Sequence, residues 1–554
     1  MIKIGKDSDD KMVEIVSEVK RIGEYVIIFT RVFDSGQMVT DADVAIVVED
    51  VEERIFLPRS STTHGFSVYT INEKNVIENL SGVYTLIFKS LFKKFKVTIF
   101  ARVRDKTTKK VLLFENGRTR EEKDPLDIIR TLKVFLGFNV NIDKIIYVDK
   151  RLEKVVNRNT RKAILQDLIK PRKKINSIED VFVGIIDSMR YGSQEWVIED
   201  PSVIKWLENL YRDNLGKETR IGGQAGIIAN LIAILGGYPT VYSPVLSKEQ
   251  AGLLHKNVFS LCPTRKPVTE CADVKESKVN WVFEFNRTDK LFNIRSNQDG
   301  RFIAGSQMEE YRPEWPDINN IDVDAIILSG FHLLKKKYRD GTTAEKIIKE
   351  TIEWIDGAAK RDIPTHLELT CMEDEWLREK IAEILYHVDS VGMNKDELRQ
   401  IAELDEEKID LPDALSIIKH MKKIAKKFGL KRVHVHTLGY YINLYKDSGW
   451  ASPEKIKKAM LFASDLAAAK AFSGSIEKME DLEIADSISL SKTGLKEQEK
   501  LEKEIGMENG VARVGDYTII FLPTKVVGHP KTTVGLGDTI SGSMFVVECG
   551  YRYM

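Results

Sequence analysis

VGLGDTISG, residues 534–542, is a glycine-rich junction between two apolar segments. Residues 517–522 precede it and residues 543–549 follow it, so the pattern predicts a strand, a tight turn and a helix. Glycines let the backbone approach a ligand closely, and the first N–H groups of a helix can bind an anion. Asp538 could therefore accept a proton from a hydroxyl while those N–H groups hold a phosphoryl group. The alternative is that Asp538 only caps the helix.

The length and composition indicate a large globular protein. Its 554 residues are too many for one ordinary core and suggest about three or four domain-sized units. The 84 Lys and Arg balance the 84 Asp and Glu, which favours neither nucleic acid nor an anionic membrane as a partner. The charged N-terminus is not a signal peptide, and no apolar run approaches the roughly 20 residues of a membrane span. Four cysteines without a CxxC pair suit a reducing compartment, so we expect a cytoplasmic protein.

Residues 1–105 have the pattern of a small β domain, with short β-branched and aromatic runs between turn formers. Several such strands predict a β-sandwich, and the runs DSGQMVTDADVAIVVED and SGVYTLIFKS resemble an immunoglobulin-like accessory domain. The region has no catalytic constellation, so we expect a packing module or a means of homo-oligomerisation. Residues 106–128 are rich in charges and turn formers and are predicted to be a linker.

A second domain begins with the apolar run 134–138, which leads into the polar residues Asn139, Asn141 and Asp143. Polar groups at the carboxyl end of a strand are typical of ligand sites in open α/β sheets, although a simple Asx turn would give the same pattern. Further along, the glycine-rich stretch 220–226 precedes a small-residue helix. This stretch permits either ligand binding or close helix packing.

Between about 145 and 310 the α/β pattern is interrupted. The strand-like runs 281–285 and 301–304 indicate a smaller β-rich domain inserted into the first one. From residue 324 onward, strands alternate again with charged amphipathic helices. The predicted strands are Ala325–Leu328, His366–Leu369, Ser390–Gly392 and Val433–His436.

Three polar patterns lie on these strands or directly after them. Period-two spacing puts His366 and Glu368 on one strand face. Asn394 and Glu397 have the spacing of a helix capping box, which is by itself a structural feature. His434 and His436 also share a strand face, but no third zinc ligand has a suitable spacing, so ordinary partly buried histidines are favoured.

Taken together, these motifs resemble the archaeal ADP-dependent phosphofructokinases and glucokinases of the ribokinase-like superfamily. The matching runs occur in the family's order between about 130 and the C-terminus: GFNVNID, RIGGQAGIIAN, VYSPVLSKEQ, HLEL, DSVGMNKDEL, RVHVHTLGYY and TVGLGDTIS. The resemblance implies an α/β/α ribokinase-like core over 129–554, with a discontinuous β-rich lid formed from parts of 145–310.

The resemblance also implies a role for individual residues. Catalysis is assigned to Asp538 as the base, Gly535 and Gly537 as the anion hole, and Arg301 at the phosphates. Mg²⁺ or another divalent cation would be held, largely through waters, by Glu368 and Glu397, with Asn394 orienting the network. Sugar contacts are assigned to Asn141, Asp143, Gly223, Gln224 and Glu195, and an adenine contact to Tyr441.

The implied reaction is transfer of the β-phosphoryl group of ADP to glucose or fructose 6-phosphate, with release of AMP. Glu195 falls where glucose-using members carry a Glu, and Arg190 is a nearby basic candidate for a sugar phosphate. An ATP-dependent sugar or nucleoside kinase of the same superfamily is one alternative. A non-catalytic sugar sensor is another, which the intact Asp538, Glu368 and Glu397 disfavour.

Overall fold

The computed structural model describes residues 13–121 within their strands and residues 124–552 except 168–173, 213–215, 373, 406–407 and 447–450. Two compact units are formed, Met1–Asp127 and Ile128–Met554, fewer than the length suggested. No helix in these described ranges is long and apolar enough to span a membrane.

The first unit is built from β-strands. They are β1 Val13–Ile22, β2 Tyr25–Asp34, β3 Gln37–Val39, β4 Asp43–Asp50, β5 Arg59–Thr63, β6 Phe66–Tyr69, β7 Val76–Leu80, β8 Val83–Lys89, β9 Lys94–Val103, β10 Lys106–Glu115 and β11 Arg118–Glu121. One sheet has the order β1-β2-β8-β7, with β3 beside β2, and the other has the order β11-β10-β9-β4-β6-β5. Side chains such as Ile28, Val32 and Val97 are fully buried. The immunoglobulin-like assignment of this unit stays a prediction.

The predicted linker 106–128 is wrong over most of its length. β10 pairs antiparallel with β9, and β11 pairs with β10. The Lys and Thr residues at 106–110 suggested a linker, but Thr is a good strand former and charges are accepted on a solvated sheet face. Leu112, farther along β10, is only 3% exposed. This strand therefore belongs to the β unit.

The second unit contains a large sheet, a smaller sheet and a short hairpin. Its strands are β12 Val134–Phe138, β13 Asn141–Tyr147, β14 Lys174–Ile175, β15 Gln194–Ile198, β16 Gly216–Gly222, β17 Thr240–Tyr242, β18 Phe259–Leu261, β19 Arg265–Pro267, β20 Val279–Phe285, β21 Lys290–Leu291, β22 Ile294–Arg295, β23 Gly300–Gly305, β24 Ala325–Ser329, β25 Thr365–Glu368, β26 Ser390–Asn394, β27 Arg432–His436, β28 Tyr440–Lys446, β29 Val511–Val514 and β30 Tyr517–Pro523.

The large sheet has the order β19-β18-β17-β12-β24-β25-β26-β27-β28-β30-β29. The strands from β18 to β27 are parallel, and β19, β28 and β29 pair antiparallel with their neighbours. Buried parallel strands are apolar along their length because helices cover both faces, as in β12 and β24. The four strands predicted after residue 324 are confirmed as β24, β25, β26 and β27.

Helices pack against the sheets of the second unit. They are α1 Pro125–Thr131, α2 Lys150–Glu153, α3 Arg158–Asp167, α4 Ile178–Tyr191, α5 Pro201–Leu210, α6 Gln224–Ile234, α7 Lys248–Leu253, α8 Val268–Cys271, α9 Ala344–Lys360, α10 Glu375–Ile384, α11 Lys395–Ala402, α12 Ala414–Phe428, α13 Pro453–Ser473, α14 Lys492–Ile505 and α15 Leu536–Arg552. Short 3-10 helices lie at Ile318–Asn320, Phe331–Leu333 and Met479–Ser487. Unlike the amphipathic α9 and α12, helix α15 is buried from Thr539 to Tyr551. Its small residues permit that burial, because a Cβ on Gly542 would lie only 2.7 Å from Ile228.

The smaller sheet, called the lid here, has the order β14-β15-β23-β20-β13-β16. It has its own apolar core, which includes Trp196, Phe283 and Phe302. Between β16 and β20 the chain returns to the large sheet through α6 and β17 to β19. The predicted β-rich interruption is therefore confirmed, and it is discontinuous in sequence.

One boundary of the lid differs from the prediction. Asn141 and Asp143 were placed at the carboxyl end of a core strand, but that strand ends at Phe138. Both residues instead open the lid strand β13, which pairs with β16 and β20. Only Asn139 and Val140 separate the two strands, so the chain changes from one sheet to the other within a very short segment.

Two of the cysteines expected to be unpaired form a disulfide. Cys262 and Cys271 are joined, with their Cα atoms 5.5 Å apart. The antiparallel pair β18 and β19, followed at once by α8, brings them together. Cys371 is exposed and Cys549 is buried, and neither of them is in a disulfide.

Candidate active site

A cleft in the second unit lies between the lid and the carboxyl ends of strands in the large sheet. It is lined by every predicted site residue except Tyr441: Asn141, Asp143, Glu195, Gly223, Gln224, Arg301, Glu368, Asn394, Glu397, Gly535, Gly537 and Asp538. These residues come from both sheets and from the start of α15. One cleft thus collects side chains that are up to several hundred positions apart in the sequence.

The glycine-rich turn before α15 has the predicted strand–turn–helix form. Gly535 has a φ of 65°, a left-handed conformation that favours glycine. A Cβ on Gly537 would lie 2.7 Å from His436 Nε2, so this position requires close backbone approach. Because α15 begins at Leu536, Asp538 lies inside the first helical turn and is not the N-cap residue. The capping alternative for Asp538 is therefore wrong.

Asp538 lies among positive and polar groups in the cleft. Burial raises the pKa of its carboxyl group, while nearby Lys470 and Arg301 and a hydrogen bond from Gln224 oppose that rise. A carboxylate held in this way is available to accept a proton from a hydroxyl. Its surroundings therefore suit a general base.

Lys470 on α13 is a cleft residue that sequence reasoning missed. Its Nζ donates hydrogen bonds to Gly535 O at 3.1 Å and to Thr539 Oγ1 at 3.3 Å. Burial lowers the pKa of Lys470 to about 8, and Asp538 opposes that shift. The residue ties α13 to the glycine-rich turn and adds a cation beside the anion-binding N–H groups.

Arg301 connects the lid to the same turn. Its Nη1 donates to Thr533 O at 3.1 Å and to Thr533 Oγ1 at 3.5 Å. Its buried Nε has no hydrogen-bond partner among the described residues. The guanidinium therefore lies at the mouth of the turn with donor capacity left over.

Glu368 is held by neighbours on two elements. His366 Nε2 lies 3.0 Å from Glu368 Oε2, as expected for two residues on one strand face. Ser541 Oγ on α15 also donates to Oε2. Burial, followed by the charges of Asp538 and Glu397, raises the pKa of Glu368 well above its ordinary value. Burial lowers the pKa of His366 well below its ordinary value.

Glu397 and Asn394 form the capping box expected from their spacing. Asn394 Oδ1 accepts from the backbone N–H groups of Asp396 and Glu397, and Glu397 Oε2 accepts from Asn394 N at 2.7 Å. Asn394 Nδ2 also donates to Glu397 Oε1 at 2.8 Å. The structural interpretation is therefore confirmed, and the same pair also lines the cleft. Burial raises the pKa of Glu397 to about 8, and the charge of Asp538 contributes.

The carboxylates of this cleft fit a divalent cation. Burial raises the pKa values of Asp538, Glu368 and Glu397, and the charge of Asp538 adds to the rise at Glu368 and Glu397. A bound cation would offset both causes. Oxygen ligands of this kind suit Mg²⁺, which usually keeps several waters. In the described part of the chain, no three His, Cys, Asp or Glu side chains lie close enough to hold one ion directly.

Comparison with known proteins identifies the family. Residues 132–547 match the model of the ADP-specific phosphofructokinase/glucokinase conserved region. The chain belongs to this family. An ADP-dependent glucose/glucosamine kinase of Pyrococcus furiosus is 34% identical over 78% of this chain and 97% of its own length. An ADP-specific phosphofructokinase of Pyrococcus abyssi is 30% identical over 77% of this chain and 99% of its own length.

Solved structures of the family share the fold. An ADP-dependent kinase in complex with fructose-6-phosphate and ADPβS has a TM-score of 0.65 and 29% identity, covering 77% of this chain and 96% of its own. A reconstructed last common ancestor of ADP-dependent phosphofructokinases from Methanosarcinales has a TM-score of 0.61 and 29% identity, covering 77% of this chain and 96% of its own. The chain thus has the mixed α/β fold of these kinases.

At the lid end of the cleft, this chain has a hydrogen-bonded carboxylate, Asp143, and a buried cation, Lys278. Asn141 Nδ2 donates to Asp143 Oδ1 at 2.7 Å, and burial raises the pKa of Asp143 to about 6. Lys278, which sequence reasoning missed, donates from Nζ to Asn280 Oδ1 at 3.0 Å. Burial lowers the pKa of Lys278, while Glu195 and Asp143 oppose the shift. Glu195 on β15 lines this end, whereas Arg190 is not among the lining residues.

Tyr441 lies outside the cleft, contrary to its predicted adenine contact. It is 3% exposed on β28, and its ring packs edge-on against His434 at 6.0 Å. Tyr441 is paired directly opposite His436, so the two side chains lie on the same face of the sheet, where the ring of Tyr441 is buried against His434. His434 and His436 stack on each other at 5.6 Å, with His434 fully buried. His436, by contrast, is only partly buried and lines the cleft.

Proposed function

We propose that this chain is an ADP-dependent sugar kinase that phosphorylates glucose, fructose 6-phosphate or both. The acceptor hydroxyl oxygen forms a bond to the β-phosphorus of ADP, the bond between that phosphorus and the bridging oxygen breaks, and AMP leaves. Asp538 takes the hydroxyl proton. The observation that carries the proposal is the meeting of Asp538, Arg301 and the glycine-rich turn in one cleft of a family member.

The chain's own groups supply most of the positioning that phosphoryl transfer needs. The first residues of α15 line the cleft, and their N–H groups, which lack partners within the helix, would hold the transferred group. Lys470 anchors their turn, and Arg301 adds positive charge from the lid. Glu368 and Glu397 would hold Mg²⁺ or another divalent cation largely through waters, and when bound it offsets charge on the phosphoryl oxygens.

The acceptor sugar would lie at the lid end. Asn141 and Asp143 would hold its hydroxyls, with Gly223 and Gln224 beside them. Glu195 would accept a further hydroxyl of glucose, and buried Lys278 faces the same space with a charge that suits a phosphate. Closure of the lid over the sugar would exclude water that competes for the phosphoryl group.

For the adenine, we propose Leu438 in place of Tyr441. Leu438 is 81% exposed although it is apolar, and it follows cleft-lining His436 by two residues. Thr524 Oγ1 donates to its carbonyl oxygen at 2.9 Å, which fixes the turn between β27 and β28. An ordered, exposed apolar side chain suits the face of a nucleobase.

One assay separates this function from its alternatives. The full chain is incubated with Mg²⁺ and either ADP or ATP, with glucose and fructose 6-phosphate offered separately, and nucleotide products are measured by chromatography. Formation of AMP together with a phosphorylated sugar supports the proposal. Turnover of ATP alone would indicate an ATP-dependent kinase, and sugar binding without turnover would indicate a sensor.

We expect Glu397→Gln to lower kcat and raise the Mg²⁺ concentration for half-maximal rate by about tenfold, the lower end for residues that orient a metal site. Gln is accepted at this capping position, so the melting temperature should stay close to that of the parent. Kinetics across a Mg²⁺ titration and thermal melts provide the measurement. Asp396→Asn, next to Glu397 but exposed, is the matched control. An unchanged Mg²⁺ dependence would leave Glu397 with its capping role alone.

We also propose that the β unit, predicted over 1–105 but extending to Asp127, forms an immunoglobulin-like accessory module of a cytoplasmic enzyme, serving packing or homo-oligomerisation. The relatives match over nearly their whole length yet cover about three quarters of this chain, and the family match begins at residue 132. The chemistry therefore has no need of this module.

We expect the fragment 128–554 to fold and to keep the kcat of the full chain, because it is a compact unit by itself. Sedimentation of both forms would show whether the module sets the oligomeric state. An insoluble or inactive fragment, made under conditions in which the full chain works, would show that the module completes the kinase.

A further inference from the structure

A row of buried polar side chains crosses three neighbouring strands beneath α15. Arg432 on β27, Ser390 on β26 and His366 on β25 are all 0% exposed. Arg432 Nη1 lies 3.0 Å from Ser390 Oγ, Ser390 Oγ lies 2.8 Å from His366 Nδ1, and His366 Nε2 lies 3.0 Å from Glu368 Oε2. The row thus begins in the core and ends at a carboxylate that lines the cleft.

We assign the hydrogen bonds of this row a single direction, from Arg432 toward Glu368. A guanidinium donates and never accepts, so Ser390 Oγ accepts from Arg432. The single hydroxyl hydrogen of Ser390 is then given to His366 Nδ1. His366 is left with its hydrogen on Nε2, where it donates to Glu368 Oε2.

The far end of the row is anchored by a buried ion pair. Arg432 Nε donates to Glu548 Oε2 at 2.6 Å, and Asn443 Nδ2 donates to Glu548 Oε1 at 3.0 Å. Glu548 and Asn443 are also 0% exposed. Replacing a buried ion pair with apolar residues is often neutral or stabilising. Stability alone therefore gives little reason to keep these charges in the core.

At the cleft end, the bonds leave one oxygen of Glu368 available. Both the His366 contact and the Ser541 hydrogen bond end on Oε2. Within the described residues, Oε1 has no hydrogen bond. The row therefore fixes the rotation of the carboxylate and reserves one oxygen for a ligand in the cleft.

We propose that Arg432, Ser390 and His366 form a positioning relay that holds the carboxylate of Glu368 in the orientation needed for a divalent cation. The inference rests on the proposed function, in which Glu368 helps to hold that cation. None of the three residues touches a substrate; they act through Glu368. Groups that orient the ligands of a metal site commonly alter its affinity when replaced.

The test removes the central link with a small change. Ser390→Ala in the full chain breaks the relay but leaves the Arg432–Glu548 pair in place. We expect about tenfold weaker binding of Mn²⁺, titrated alone and followed by calorimetry, and a lower kcat with little change in the KM for the sugar. Ser543→Ala is the matched control: Ser543 is equally buried on α15, and its hydroxyl donates only to backbone carbonyls of its own helix. The control should leave Mn²⁺ binding unchanged.

A double-mutant cycle separates the relay from the proposed function. In a Glu368→Gln background, Ser390→Ala should have no further effect on Mn²⁺ binding, because the relay acts only through that carboxylate. If Glu368→Gln does not weaken Mn²⁺ binding, the metal role of Glu368 fails, and the relay fails with it. If Glu368→Gln weakens binding but Ser390→Ala does not, or if their effects add, the relay alone is overturned.

Discussion

We expect Asp538→Asn to lower kcat by about 10²–10⁴-fold, the usual contribution of a general base. The amide keeps the size of the side chain but cannot take the proton of the acceptor hydroxyl. Gly535 and Gly537 still shape the turn, and Lys470 still anchors it, so ADP should bind almost as tightly as before. Steady-state kinetics gives kcat, and calorimetry gives the Kd for ADP. We expect kcat to fall while the Kd stays nearly unchanged.

The control for this variant is Asp516→Asn, which makes the same chemical change in an exposed turn of the same unit. Its kcat should equal that of the parent. An Asp538→Asn enzyme that keeps more than about a tenth of the parent kcat would exclude Asp538 as the base. Loss of ADP binding together with activity would instead assign Asp538 to the nucleotide site.

The second large effect concerns the choice of acceptor. We expect Glu195→Ala to lower kcat/KM for glucose by about 10- to 100-fold, the range for losing a hydrogen bond to a charged group. The loss for fructose 6-phosphate should be much smaller, because its phosphate requires a cation, and Lys278 remains in place. The measurement is the ratio of kcat/KM for glucose to kcat/KM for fructose 6-phosphate at saturating ADP, which should fall in Glu195→Ala.

Glu199→Ala is a suitable comparison for Glu195→Ala. Glu199 follows the same lid strand, but its carboxylate is paired with Lys174 outside the cleft. Glu199→Ala should leave kcat/KM unchanged for both glucose and fructose 6-phosphate. Equal losses on both sugars after Glu195→Ala, or no glucose activity in the parent, would contradict glucose use and leave a phosphofructokinase.

The motifs that sequence patterns located correctly share one property: their geometry is local. The turn at Gly535 and Gly537, the period-two pair His366 and Glu368, and the capping box at Asn394 each depend on residues only a few positions apart. Such spacings restrict the backbone directly. For this reason the cleft residues from the large sheet were predicted well.

The residues that the sequence analysis missed or misplaced depend on contacts between residues that are far apart in the sequence. Lys470 lies in the run DLAAAKAFSG, where a lone Lys is expected to face solvent, and only the packing of α13 against the glycine-rich turn buries it. Tyr441 follows the exposed turn at Leu438, but its ring is buried by packing against His434. Asn141 was placed on the wrong sheet because only Asn139 and Val140 separate β12 from β13, too short a connection to indicate a change of sheet. Cys262 and Cys271 likewise meet through a hairpin whose strands are short.

The discontinuous lid limits how evolution or an engineer can exchange parts of this enzyme. The chain passes between the large sheet and the lid at Phe138 to Asn141, Gly222 to Gln224, Cys271 to Val279, and Gly305 to Ala325. A chimaera with the lid of a relative must therefore be joined at every one of these passages, and a single crossover would leave β13 or β23 from one parent paired with strands from the other. Acceptor preference in this fold should consequently change by point substitution at residues such as Glu195, rather than by recombination of whole modules.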